Sequence, residues 1–339
     1  MMTPFRSIFF RPGCQPSPGN PPAAQAARGP SRWVGACSLA VALSISAPAG
    51  AAVIGYWQFD DQTPGTPATT LADSSGNNLM GVGQGVGSGS APVHSSVVVA
   101  PAIRDGINGP YVNSNNTSSL RFINTGGVNS AEGSRVQVSD PGGPLLKPQN
   151  FTVEGFFLFD NMVNFPTLVG KSRQEAGGAS WVVDLHNTAR LRVRSDHQVP
   201  GTGGGGVPGF NQGFGPGGPA VNDGQWHHFA VTFEAGDPDL QQAGRFTLFM
   251  DYNQVATGLL NNAQNPDDVF NSFLVYDNNP LFIGSGAGGR AFDGWLDEIR
   301  LSGEVLTPDQ FLRAVPEPTR AILLAVGLTW LVGGRRRRP

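Results

Sequence analysis

Carboxylates are the first residues to weigh for chemistry in this 339-residue chain. Glu154 stands alone in an apolar run, and Asp297 and Glu298 are adjacent. Neighbours along a strand point to opposite faces, whereas a glycosidase with a retaining mechanism needs two carboxylates about 5 Å apart, hence acids two or four residues apart. No Glu-x-Asp-x-Glu pattern and no Gly-x-Ser-x-Gly elbow occurs. His227 and His228 are also adjacent, so they cannot share one metal ion. They flank a strand start, with one of them expected to be buried and hydrogen-bonded. Gly284-Ser285-Gly286-Ala287-Gly288-Gly289 has the glycine spacing of a dinucleotide loop, but a turn and a strand follow it instead of a helix. The chain is expected not to be an enzyme.

Both ends look like addresses. Residues 1–32 carry Arg6, Arg11, Arg28 and Arg32 and no acid. An apolar segment, Trp33 to Ala47, and the small residues Ala49-Gly50-Ala51 follow, as in a secretory signal peptide cut after Ala51. At the other end Val315, Pro316, Glu317 and Pro318 precede an apolar run from Ala321 to Val332, and Arg335, Arg336, Arg337 and Arg338 close it. A helix over 321–334 would reach roughly 21 Å, short of a hydrocarbon core of about 30 Å, a gap that snorkelling arginine stems can close. The arginines hold that end cytoplasmic and leave the body outside. Cys14 and Cys37 both lie in the presequence, so the body has no disulfide, no thiolate metal ligand and no cysteine nucleophile. Residues 52–314 hold 13 basic and 24 acidic residues, a net charge near −11. That balance disfavours nucleic acid and anionic lipid as partners and suits a soluble exported protein, or one that collects divalent cations.

The body reads as short strands separated by turns. Candidates are Val53–Phe59, Ser95–Ala100, Ser119–Ile123, Arg135–Ser139, Phe151–Phe159, Thr167–Lys171, Ser180–Leu185, Arg190–Arg194, His227–Phe233, Arg245–Tyr252, Leu281–Ile283 and Gly294–Leu301. Arg190 to Arg194 alternates charged and apolar residues, predicting one wet and one buried face. Phe151 to Phe159 is apolar nearly throughout, as a strand between two layers should be. Thr307-Pro308-Asp309-Gln310 predicts a short helical turn running through Leu312. The glycine-rich stretches 81–89 and 201–219 read as surface loops, the second long enough to be functional or simply mobile. Many strands without intervening helices make the chain all-β, an antiparallel two-sheet jelly-roll sandwich. An N-terminal signal helix and a C-terminal hydrophobic helix flank it. The division is therefore 1–51, 52–314 and 315–339.

The C-terminal pattern resembles the PEP-CTERM sorting signal of Gram-negative bacteria, cleaved by exosortase. The resemblance implies export by the secretion machinery, a transient stay in the inner membrane, and delivery to the cell surface or extracellular matrix. The body resembles the LamG-like, concanavalin A-like jelly-roll family. The resemblance rests on Tyr56-Trp57-Gln58-Phe59-Asp60 with Asp73-Ser74-Ser75-Gly76-Asn77, and on Phe151-Thr152-Val153-Glu154-Gly155-Phe156. Asp223-Gly224-Gln225-Trp226-His227-His228 and Phe292-Asp293-Gly294-Trp295-Leu296-Asp297-Glu298-Ile299-Arg300 complete it. It implies a non-catalytic role in adhesion or matrix organisation, through weak contact with extracellular polysaccharide or as a purely structural component. It also implies a structural calcium ion at Asp73, Asn78 and Asp297, although Leu79 and Met80 stand where oxygen ligands would be expected. The alternative is that Asp73 caps an Asx turn and Asp297 bonds backbone at a strand end. Trp57, Trp226 and Trp295 fall inside the matched motifs as packing residues, which leaves Trp181 as the candidate ligand-binding aromatic.

Overall fold

The computed structural model describes residues 52–99, 102–104, 116–127, 132–161, 165–172, 179–197, 210–260, 273–286 and 290–314. The chain divides into Met1–Ser46, which lies outside these residues, and Ala47–Pro339, which holds everything that follows. The expected signal helix lies outside them too, as do the tail helix and the sorting residues Val315, Pro316, Glu317, Pro318, Arg335, Arg336, Arg337 and Arg338. Among the described residues no helix is long and apolar enough to cross a membrane.

The chain forms β1 (Val53–Trp57), β2 (Gly81–Val86), β3 (Val93–Ser95) and β4 (Ala102–Arg104). Then come β5 (Ser119–Phe122), β6 (Gly133–Val138), β7 (Phe151–Phe159), β8 (Thr167–Ser172), β9 (Ala179–Leu185) and β10 (Leu191–His197). The remainder are β11 (Phe210–Gly217), β12 (Trp226–Glu234), β13 (Arg245–Met250), β14 (Asn253–Leu259), β15 (Leu281–Ile283), β16 (Gly294–Ser302) and β17 (Leu312–Ala314). The first sheet runs β14-β13-β12-β7-β16-β5-β3, with β1 also on β16. The second runs β11-β10-β9-β8-β15-β6-β2, and β17 pairs with β4 by itself. All these pairings are antiparallel, and the architecture is the two-sheet sandwich expected.

Period-two patterning explains the core. Phe151, Val153, Phe157 and Phe159 of β7 face the second sheet, with Phe229, Val231 and Phe233 of β12 beside them. Trp181, Val183 and Leu185 of β9 meet them from the other side, and the Trp181 ring stacks on Phe151 with centroids 5.0 Å apart. On β10, Leu191 and Val193 are buried as the alternation predicts, but Arg194 is buried as well, so that strand's other face is not simply wet.

Two stretches read as loops contain strands. Gly81–Val86 is the edge strand β2, paired to β6. Its glycines are required by close backbone approach: a Cβ on Gly83 would lie 1.8 Å from the Ala68 carbonyl oxygen. Phe210–Gly217 within the second glycine-rich stretch is β11, paired to β10. A Cβ on Gly217 would lie 2.5 Å from the Val255 carbonyl oxygen on β14, so glycine lets the edges of the two sheets meet there. The expected Ser95–Ala100 strand is displaced, with β3 ending at Ser95. The helical turn is a 3-10 turn over Pro308–Gln310, in which Gln310 Oε1 accepts the Thr307 backbone N–H at 2.9 Å. It stops short of Leu312, which opens β17 instead.

That C-terminal segment covers the outer face of the first sheet. Leu306 and Phe311 pack on Ala230 and Phe249, while Leu312 joins Val53, Tyr56, Val99 and Phe156. This is why β7 is buried on both faces. Truncation of the central ring, Trp181→Ala, is expected to lower the free energy of urea unfolding by about 3–5 kcal/mol. A loss below about 1 kcal/mol would contradict its placement in the core.

Candidate functional site

Beneath that covering segment lies a set of buried charged groups. Glu154, with the period-two position facing out of the sandwich, is wholly buried. Its Oε1 accepts both Nε of Arg300, at 2.8 Å, and Nη2 of the same guanidinium. Oε2 accepts the His228 Nε2–H at 3.0 Å and the Leu312 backbone N–H at 2.7 Å. Burial alone would raise the Glu154 pKa, but the charge of Arg300 and the bond from His228 outweigh it and hold it below the usual carboxylate range. Arg300 Nη2 also donates to the Gln310 carbonyl at 2.9 Å, a second tie to the C-terminal segment. His228 sits in an aromatic box, stacked on Tyr252 at 4.6 Å with Phe311 and Phe156 nearby.

The two adjacent acids of β16 depart from the alternating-face expectation. A bulge breaks the β16–β7 register between Asp297 and Arg300, and Glu298 adopts a left-handed φ of 54°. Glu298 accepts a hydrogen bond from the Tyr56 hydroxyl, while Asp297 Oδ2 accepts from Val99 N at 3.2 Å and Asn116 Nδ2 at 2.8 Å. Tyr56 and Val99 belong to one small cluster, so both carboxyls border the same outer-face region. Burial, and then the Glu298 charge, push the Asp297 pKa well above the ordinary carboxylate range. Burial and Glu298 likewise raise the Tyr56 phenol. Tyr56, Glu154, Asp297, Glu298 and Arg300 are all 0% exposed, and sequence spacing gave no sign that they form one group.

The residues implied as calcium ligands do not converge. Asp73 Oδ1 accepts the Tyr56 and Ser75 backbone N–H groups, both at 2.9 Å. Its Oδ2 accepts the Ser75 hydroxyl at 2.8 Å and Leu79 N at 2.9 Å. Donors thus surround both of its oxygens, and the carboxylate closes an Asx turn. Asn78 is exposed in a left-handed conformation. Asp297 shares no partner with either. Oδ1 of Asp297 and Oδ1 of Asn116 are buried without a hydrogen bond, but two oxygens do not make the six to eight ligands calcium takes. Among the described residues no group of three His, Cys, Asp or Glu side chains is placed to hold a metal. The set Asp73, Asn78 and Asp297 does not fit the ion.

The expectation for the aromatic residues fails at Trp181. Trp181 is 1% exposed and offers no face to a ligand, whereas Trp57, 0% exposed, packs in the core as expected and its Nε1 donates to the Leu79 carbonyl. Trp226 and Trp295 are half-buried; Trp226 packs against the cluster of Val53, Tyr56, Val99, Phe156 and Leu312, and Arg121 lies over the Trp295 ring at 4.5 Å. At the surface, His227 Nδ1 donates to Asp251 Oδ2 at 2.8 Å and Nε2 to Asp223 Oδ1 at 3.0 Å. With both nitrogens so engaged, the ring is neither a free base nor a metal ligand. Burial would lower its pKa, but the two carboxylates, Asp251 before Asp223, raise it.

The sequence pattern of the concanavalin A-like lectin/glucanases superfamily matches residues 129–311, the stretch that holds Glu154, His228, Asp297, Glu298 and Arg300 and most of both sheets. The chain belongs to this superfamily. No curated protein matches it by sequence. Among solved structures, domain 4 of AbnA is similar, from an extracellular arabinanase of Geobacillus stearothermophilus in complex with arabinotriose. It is 18% identical with a TM-score of 0.44, over 77% of this chain and 97% of that one. The binding domain of botulinum neurotoxin DC, in complex with SialylT, is 9% identical with a TM-score of 0.43, over 76% of this chain. Trypanosoma rangeli sialidase in complex with the inhibitor DANA is 12% identical with a TM-score of 0.41, over 76% of this chain. The chain spans 50% of the neurotoxin domain and 31% of the sialidase.

In this superfamily member, Glu154→Gln leaves Arg300 buried without its counter-charge. Urea unfolding is expected to show a loss of about 3–5 kcal/mol, and a loss under about 1 kcal/mol would contradict the pairing. The His227 ion pairs predict a pH dependence of the opposite kind to acid unfolding. Because the folded pKa is raised above the reference 6.5, their contribution is complete below that pH and is lost as pH rises through the folded value. The exposure of the two carboxylates, 53% for Asp223 and 42% for Asp251, limits it to about 1 kcal/mol or less. The decline of unfolding free energy above neutrality should flatten in His227→Ala; an unchanged slope refutes it.

Proposed function

We propose that this chain is an exported, non-catalytic protein of the cell surface or extracellular matrix that contacts polysaccharide, serving adhesion or matrix organisation. In this reading residues 1–51 direct export, 52–314 form the working domain, and 315–339 are a PEP-CTERM signal removed by exosortase after a transient stay in the inner membrane. Membership of a superfamily of lectins and glucanases supports sugar contact and sugar cleavage as readings of the body, beside a purely structural role.

One observation favours contact. Glu154, Asp297 and Glu298, the carboxylates on the outer face of β7 and β16, are buried and engaged in hydrogen bonds, Glu154 to the C-terminal segment, Asp297 to Val99 and Asn116, and Glu298 to Tyr56, so none of the three is open to a glycosidic oxygen. The test is to incubate the secreted protein with a panel of neutral and acidic polysaccharides, measuring retention and reducing-sugar release together. Retention without release is the expected result; release of sugar overturns the non-catalytic reading, and no retention on any polymer overturns sugar contact. Intact-mass measurement of the exported product should show loss of the sequence from Ala321 onward. A membrane-held product that keeps it contradicts sorting by cleavage.

A further inference from the structure

The second sheet carries a local reversal of the body's charge. Arg192 and Arg194 project from β10 on the side away from Leu191 and Val193, and exposed Arg190 precedes them in the same alternation. Across the ladder, Asp184 of β9 stands opposite Arg192. Arg192 Nε donates to Asp184 Oδ1 and its Nη2 to Oδ2, each at 2.8 Å, and Arg194 Nε donates to Oδ2 at 2.8 Å. A single buried carboxylate thus holds two guanidinium groups.

A third arrives from another part of the chain. Pro166 forms a parallel bridge with Arg290, and Thr167 N donates to the Arg290 carbonyl at 2.9 Å. This sets the Arg290 guanidinium carbon 5.0 Å from the centre of the Phe165 ring, and that of Arg192 lies 4.3 Å from the same ring. The His186 ring meets Phe165 edge-on at 5.2 Å. Phe165, at a left-handed φ of 55°, is therefore a post between two cations. In a body of 13 basic and 24 acidic residues, four of the arginines gather here. Asp184 is the carboxylate that two of them, Arg192 and Arg194, share.

The donors are not used up. The Arg194 side chain is only 10% exposed, yet Nη1 and Nη2 have no partner among the described residues, nor has Nη1 of Arg192. Arg194, already fixed by a carboxylate at Nε, loses little further freedom when its Nη1–Nη2 edge takes a ligand. The geometry of that edge suits a planar, two-oxygen anion.

We infer that the Arg190, Arg192, Arg194 and Arg290 cluster around Phe165 is an anion subsite that recognises the carboxylates of a uronic acid-containing polysaccharide. The inference rests on the sugar-contact reading above and names its polymer class. A repeating uronate brings a carboxylate to each of several fixed guanidinium groups, which supplies affinity by multiplicity, and binding weakens as salt rises.

The test uses affinity electrophoresis of the secreted protein through gels containing polygalacturonate, dextran sulfate or neutral dextran. Retardation by polygalacturonate is expected, weakening with salt. The Arg190→Ala/Arg290→Ala double variant leaves the Asp184 pairs intact and should bind roughly tenfold more weakly at an unchanged melting temperature. Arg192→Lys, which keeps the charge but not the fork, should also weaken binding. Unchanged affinity in the double variant overturns the subsite. Equal retardation by dextran sulfate overturns its preference for carboxylate. Retention by neutral polymers alone overturns the inference and leaves the sugar-contact reading standing, whereas no retention by any polysaccharide overturns both.

Discussion

The Glu154 carboxylate is the point on which the outer half of the molecule depends. A charge removed from water costs several kcal/mol unless its lone pairs are filled, and here they are filled from three directions. Arg300 comes from the neighbouring strand, His228 from the strand on the other side, and the Leu312 backbone N–H from the segment that closes over the sheet. The last contact makes the covering segment part of the solution to the charge, and the charge part of what holds the segment. Tyr56 and Glu298 repeat the arrangement a short distance away, again with β1 and β16 as the carriers. The outer face is thus organised by polar satisfaction, the inner face by hydrophobic burial.

This division explains what was legible in the sequence. Alternation revealed β7, β10 and β12 because their large side chains leave a period-two trace. It also held the true position of Trp181, since Trp181, Val183 and Leu185 recur on one side of β9 and end in the core together; treating the ring as unconstrained overlooked that rhythm. Gly81–Val86 and Phe210–Gly217 left little trace because glycine shows neither face, and the reason for the glycines is a backbone passing close by, which only the tertiary structure supplies. Asp73 admitted two readings, and the donors around it decide for the turn.

The outer-face group was illegible for another reason. Separating Asp297 and Glu298 by strand alternation assumes a regular strand, and the bulge at Glu298 removes that regularity. Arg300, the one cation of β16, was the available signal, because a charge in a buried strand must find a partner where water is excluded. Its partner lies 146 residues away on β7, a separation no spacing rule addresses.

The pairing of β1 with β16 sets an order of events. Val53 finds its opposite number at Ser302, and the lid residue Leu312 comes later still. A polypeptide emerging from its N-terminus carries Val53–Trp57 as a sticky, unmated edge until nearly the entire body has followed. Loop-closure entropy must be met before that contact gives anything back. Assembly is therefore governed by its most distant partners, and the newborn chain depends on being shielded during the wait.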